Sequence, residues 1–196
     1  MASVLHPLWL RITHWLNAMA VIVMIASGWQ IYNASPLFGT ARFPEQLTVG
    51  GWLAGALLWH FAAMWLLAGT LLFYVVLGIA SGRLRSKLWP LSLRMLAQDI
   101  RAALHGDLDH SDLGRYNMIQ RIAYAAVVVD LVMLVLSGLV LWKSVQFPLL
   151  RDLMGGYDNA RLVHFFAMVF LVGFIAIHVV MSLLVPRALL SMIRGV

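Results

Sequence analysis

L-V-H-F-F-A-M-V-F-L-V-G-F-I-A-I-H-V-V-M-S-L-L-V, residues 162–185, is apolar throughout apart from His164, His178 and Ser182, and Pro186-Arg187 closes it. A helix crosses the hydrocarbon core of a bilayer with ~20 such residues, so this stretch reads as a membrane span. At ~100° per residue, the interval from His164 to His178 falls about 40° short of four turns and covers ~21 Å. One helix therefore offers two imidazoles on one face, one near each side of the membrane. An ionisable side chain inside a span is costly and marks a functional site by default.

Three further apolar runs are long enough to cross: residues 12–32, 52–80 and 122–142. The chain of 196 residues is 62% hydrophobic and 11% charged, with a mean hydropathy of +0.87. Soluble domains carry about 25% charged residues, so too few charges are present here to cover a water-facing surface. Four spans use most of the length, leaving a single integral-membrane domain over residues 1–196 and no separate catalytic domain. The first run is too long for a signal-peptide core and reads as an uncleaved anchor. Cysteine is absent, which excludes disulfides, cysteine-ligated clusters and covalently attached haem.

The net charge of +6 is a matter of topology rather than of nucleic-acid binding. Arg11, Arg83, Arg85, Lys87, Arg94, Arg101, Arg115, Arg121, Arg187 and Arg194 fall on one side of the spans; Arg42, Lys143, Arg151 and Arg161 fall on the other. The positive-inside rule then puts both termini in the cytoplasm. Trp9, Trp15 and Trp89 on the inner side and Trp29, Trp52 and Trp142 on the outer side suit an interfacial belt. Leu93, Leu96, Ile100, Ala103 and Leu104 recur at helical spacing in the cytoplasmic loop, predicting a short amphipathic helix on the inner surface. Residues 107–112 read as a solvated acidic turn. The expected fold is all-α: a transmembrane four-helix bundle with that amphipathic helix in its cytoplasmic loop.

His14 and His60 complete the constellation. His14 opens the first span on the cytoplasmic side, level with His178, and His60 lies in the outer half of the second span, as His164 does in the fourth. Two pairs result, each able to clamp the iron of a b-type haem from both faces. Such ligation leaves no open position on the metal and suits electron transfer. Zinc would want a third or fourth converging ligand, and a histidine proton relay would not need pairing at two levels. Arg11, beside His14, and Arg161, near His164, stand where propionates would emerge; snorkelling to the surface is the competing role. Ser-Gly pairs at Ser27-Gly28 and Ser137-Gly138 sit near the outer ends of spans one and three, where small residues admit a close backbone or a cofactor. Asp130, at mid-span, is expected against a neighbouring Ser or Tyr, with proton carriage as an alternative.

H-P-L-W-L-R-I-T-H-W at residues 6–15, Trp59-His60, G-R-Y-N-M-I-Q-R-I-A-Y at residues 114–124, L-S-G-L from Leu136 and the His164/His178 pair resemble the di-haem cytochrome b subunits of bacterial respiratory complexes. That family includes bacterial cytochrome b561 and the b-type subunits of nickel-iron hydrogenases, formate dehydrogenases and thiosulfate reductases. The resemblance implies two haem b groups, the periplasmic one on His60 and His164 and the cytoplasmic one on His14 and His178. It also implies a quinone beside the cytoplasmic haem, near Asn117 and Gln120. An amide pair at a span's mouth can donate hydrogen bonds to a quinone carbonyl, although Asn117 can equally cap the third helix.

The function expected is transmembrane electron transfer between the quinone pool and an extracytoplasmic oxidoreductase or cytochrome subunit, in the bacterial inner membrane. The alternative is a stand-alone cytochrome b561-type oxidoreductase that exchanges electrons between quinone and a small diffusible species such as superoxide. It would need a basic funnel on the outer side, with Arg42, Lys143, Arg151 and Arg161 as candidates.

Overall fold

The computed structural model describes residues 6–105 and 116–195. The acidic stretch 107–112 lies outside them. Among the described residues all regular structure is helical: α1 Leu8–Ala34, α2 Leu53–Ala80, α3 Arg83–Leu88, α4 Leu93–His105, α5 Met118–Lys143, α6 Pro148–Leu153, α7 Tyr157–Leu184 and α8 Pro186–Arg194. Helices α1, α2, α5 and α7 are long and apolar enough to cross a membrane.

Three of these helices begin about a turn before the apolar run does. Composition marks the part that meets lipid, whereas hydrogen bonding continues to the residue that caps the helix. Pro7, without an N–H, starts α1, its carbonyl accepting from Leu10 and Arg11. Asn117 starts α5 through a capping box with Gln120. Gly156, at φ 101°, precedes α7 in a conformation that a side chain would strain. Gly50 opens α2 at φ 110°, where an added Cβ would lie 2.3 Å from the Ala56 nitrogen. Pro186 ends α7 and, at the first position of a new helix, begins α8. Its nine residues carry a clear amphipathic period, but the sequence reading took the proline only as the end of a span.

The chain forms two compact units, Met1–Arg83 with Leu190–Val196, and Leu84–Leu189. In the first, α1 packs against α2. Thr13, Ala20 and Ser27 are buried on α1, and Ala56 and Ala63 on α2, each set at intervals of seven. A seven-residue repeat of small side chains brings two backbones close along a left-handed seam. Thr70 Oγ1 donates to Asn17 Oδ1 across it. At the C-terminal end of α1 Asn33 grips Phe43 twice, accepting from its N–H at 2.8 Å and donating to its carbonyl at 2.9 Å, and Trp29 stacks on Phe43 at 4.7 Å. Gln30 accepts from Thr48 at 2.7 Å.

In the second unit α5 packs against α7 through Ser137 and Val140 on one helix and Ala160, Ala167 and Leu171 on the other. The start of α5 is latched by its neighbours: Met118 N–H donates to Asp99 on α4, and Arg121 donates to the carbonyls of Tyr116, Trp89 and Pro90.

Hydroxyls inside the spans follow one rule. Thr13, Ser27, Thr70, Ser137 and Ser182 each donate to the carbonyl four residues earlier in their own helix, at 2.7–2.9 Å.

Candidate functional site

The long helices place the four histidines in matched registers. His60 is the eighth residue of α2 and His164 the eighth of α7, while His14 is the seventh of α1 and His178 the seventh from the end of α7. At ~1.5 Å per residue each ring sits roughly 10 Å along its own helix from the nearer end. Among the described residues no group of three or more His, Cys, Asp or Glu could hold a metal ion.

His60 is held by α1. Its Nδ1 lies 3.0 Å from Ser27 Oγ, the Met24 backbone is a second hydrogen-bond partner, and its Cε1 lies where a Cβ on Gly28 would approach to 3.6 Å. His164 is held by α5 in the same manner, with Nδ1 2.9 Å from Ser137 Oγ and Cε1 3.4 Å from a Cβ built on Gly138. The sequence points to these Ser-Gly pairs as places for close approach; the hydroxyl contact to a ring needs the neighbouring helix to be known. A ring engaged through Nδ1 can turn Nε2 toward an iron. This donor set suits a flat cofactor with axial imidazole ligands.

Aromatic rings surround the other two histidines. His14 meets Trp15 edge-on at 5.4 Å, and His178 stacks on Phe174 at 5.8 Å with the planes 8° apart. Phe174 continues into a file of rings, Tyr124 at 6.3 Å and then Tyr116 at a further 5.2 Å, which reaches the residue preceding Asn117. The sequence reading missed Tyr116, Tyr124 and Phe174 as a group. The four-residue interval between Phe174 and His178 was the available signal.

Asn117 and Gln120 come together. Asn117 Oδ1 accepts from Gln120 N–H at 2.8 Å, and Gln120 Oε1 accepts from Asn117 N–H at 3.1 Å. Their oxygens are engaged in the cap, and the two NH2 groups remain as donors. Arg11 lies on the last carbonyls of α8, donating to Met192 at 3.3 Å and to Ile193. Arg161 is in α7, three residues before His164. Asp130 Oδ2 is buried and meets no Ser or Tyr hydroxyl, contrary to expectation. It borders a groove of about 480 Å³ lined by residues such as Ile122, Ala126, Met133 and Phe170. In α6 Arg151 pairs with Asp152 at 3.0 Å.

The model of the prokaryotic cytochrome b561 family matches residues 5–195. The chain is 56% identical over 191 residues to the "Putative protein-methionine-sulfoxide reductase subunit YedZ1" of Azospira oryzae, covering 97% of this chain and 96% of that one. It is 30% identical over 89 residues to the cytochrome b556(fdo) subunit of formate dehydrogenase from Escherichia coli K12, covering 43% and 39% of the two chains. No solved structure matches it. With four helices long and apolar enough to span a membrane and a family model that matches almost the whole chain, the chain belongs to the prokaryotic cytochrome b561 family, multi-pass bacterial membrane proteins that transfer electrons on haem b.

Proposed function

We propose that this protein is the membrane subunit of a quinone-linked oxidoreductase, passing electrons between the quinone pool and an extracytoplasmic catalytic subunit. The observation that carries this reading is the matched register of the histidines, with the two outer rings held alike by Ser27 and Ser137. His60 and His164 are assigned to the outer haem and His14 and His178 to the inner one. Bis-histidine haems supply one-electron carriers at both membrane levels. Both termini are cytoplasmic, the membrane is the bacterial inner membrane, and α4 lies on its inner surface with Leu93, Leu96 and Ile100 toward lipid.

The chain's own residues then have distinct tasks. The NH2 groups of Asn117 and Gln120 donate to a quinone carbonyl, and the file from Tyr116 to Phe174 lies between that mouth and His178. Arg11 steadies α8 through its C-terminal carbonyls, where a cation complements the helix dipole. Arg161 is the candidate propionate contact of the outer haem.

The Azospira relative's name assigns it to a reductase of methionine sulfoxide in proteins. We extend that role to this chain: the partner reduces the sulfoxide, and electrons run outward from quinol. The reading with a diffusible anion such as superoxide needs a basic outer surface, and the Arg151–Asp152 pair neutralises part of it.

The test is to purify the chain after haem-replete expression, count haem, and repeat with His60→Ala and His164→Ala. Two haems per chain are expected, with each substitution removing one and leaving the other spectrally intact. Equal loss of both would overturn the two-level assignment. Quinol oxidation that depends on a co-expressed sulfoxide reductase subunit is the expected partner result, and turnover with superoxide alone would overturn the partner assignment.

A further inference from the structure

We propose that Ser27 and Ser137 are positioning residues for the outer haem: together they hold both axial imidazoles as the Nδ1-protonated tautomer and thereby set the potential of that haem. The proposal rests on the assignment of His60 and His164 as its ligands.

The argument is a count of protons. A serine hydroxyl has one hydrogen. In Ser27 it points to the Val23 carbonyl at 2.7 Å, sharing the Met24 carbonyl at 3.2 Å. With that hydrogen assigned to its own helix, the 3.0 Å contact to His60 Nδ1 is assigned to the ring as donor. Ser137 repeats the arrangement, with the Met133 carbonyl at 2.7 Å, the Leu134 carbonyl at 3.2 Å and His164 Nδ1 at 2.9 Å. A neutral imidazole with its proton on Nδ1 has its lone pair on Nε2, so each serine leaves the iron-binding nitrogen unprotonated and aimed.

The same device occurs twice, in helix pairs whose histidine-bearing members repeat the pattern A-x-L-x-H-F-x-A-M-x-x-L-x-G at residues 56–69 and 160–173. In each, the serine is followed by a glycine whose missing Cβ leaves room beside Cε1 of the ring. Packing alone would require only a small residue at 27 and 137. It would not require a hydroxyl in both places, hydrogen-bonded backward into its own helix and forward to a histidine.

An acceptor on Nδ1–H makes the imidazole a stronger donor to metal. This favours the ferric state and lowers the midpoint potential of the outer haem. Losing one neutral hydrogen bond of this kind shifts the reduction equilibrium by about fivefold, which is roughly 40 mV at 59 mV per decade for one electron.

Potentiometric titration and EPR of the purified holoprotein test the proposal in wild type, Ser27→Ala, Ser137→Ala, the double variant and Ser27→Thr. The outer signal is identified as the one missing from His60→Ala. The outer potential is expected to rise about fivefold in equilibrium constant per serine and to add in the double variant. Its low-spin EPR signal should move while the inner one stays fixed. Threonine keeps the hydroxyl and should restore wild-type values. Loss of the outer haem in the alanine variants that threonine rescues would also support the role. An unchanged outer potential and EPR signal in the double variant with both haems bound would overturn it, as would haem loss that threonine fails to rescue. A wild-type protein without two haems would instead overturn the ligand assignment, and this proposal with it.

Discussion

Replacing Asn117 by aspartate separates two roles that alanine removes together. The Asn117 oxygen accepts from Gln120 N–H at 2.8 Å, and aspartate keeps an oxygen in that place. Its extra negative charge suits a helix N-terminus by about 0.3–1 kcal/mol, and the nearby Asp99 carboxylate, which accepts from Met118, opposes it by a similar amount. Stability should therefore stay within about 0.5 kcal/mol of wild type. What aspartate lacks is the NH2 group. Losing one hydrogen bond to a quinone carbonyl costs about 0.5–1.5 kcal/mol, so the KM for quinone should rise roughly two- to tenfold. Alanine should show the same rise together with a loss of about 1 kcal/mol in stability, since the cap goes too. The assays are thermal unfolding of the detergent-solubilised holoprotein and steady-state reduction of a short-chain quinone. If aspartate has the wild-type KM while alanine raises it, the amide is a helix cap alone and the quinone assignment fails.

Two further outcomes follow from the seam between α1 and α2. Ala63→Leu overpacks a buried position and should cost about 1–3 kcal/mol in thermal unfolding, whereas Val76→Leu, 53% exposed on the same helix, should change little; equal effects would refute the seam. A double-mutant cycle on Asn17→Ala and Thr70→Val should return a coupling of roughly 0.6 kcal/mol, as for other hydrogen bonds between spans, and a zero value would remove that bond from the account.

The four spans were legible because lipid imposes a length, and the position of each histidine along its own helix because a helix imposes a register. Helix ends were less legible, since Pro7 and Gly156 act through backbone geometry that hydropathy does not register, whereas Asn117 caps through its side chain and could be suggested from the sequence. Arg11 shows how one omission spreads. Its neighbour His14 suggested a propionate as partner, and α8, not in view in the sequence, adds the Met192 and Ile193 carbonyls. Ser27 and Ser137 stood out as small residues, but their ring partners lie 33 and 27 positions away, and no local pattern joins them. Asp130 was expected to find a hydroxyl and instead borders the groove lined by Ala126, Met133 and Phe170.

The backward hydrogen bonds of the span hydroxyls have a consequence for biogenesis. A segment leaving the translocon meets lipid before it meets its neighbours, and a bare hydroxyl there carries a desolvation cost. Thr13, Ser27, Thr70, Ser137 and Ser182 need no neighbour to satisfy their hydrogens, because the carbonyl each uses belongs to its own helix. Every span can thus partition singly, its lone pairs still available. Ser27 and Ser137 then give theirs to a histidine only when the second helix of each pair arrives.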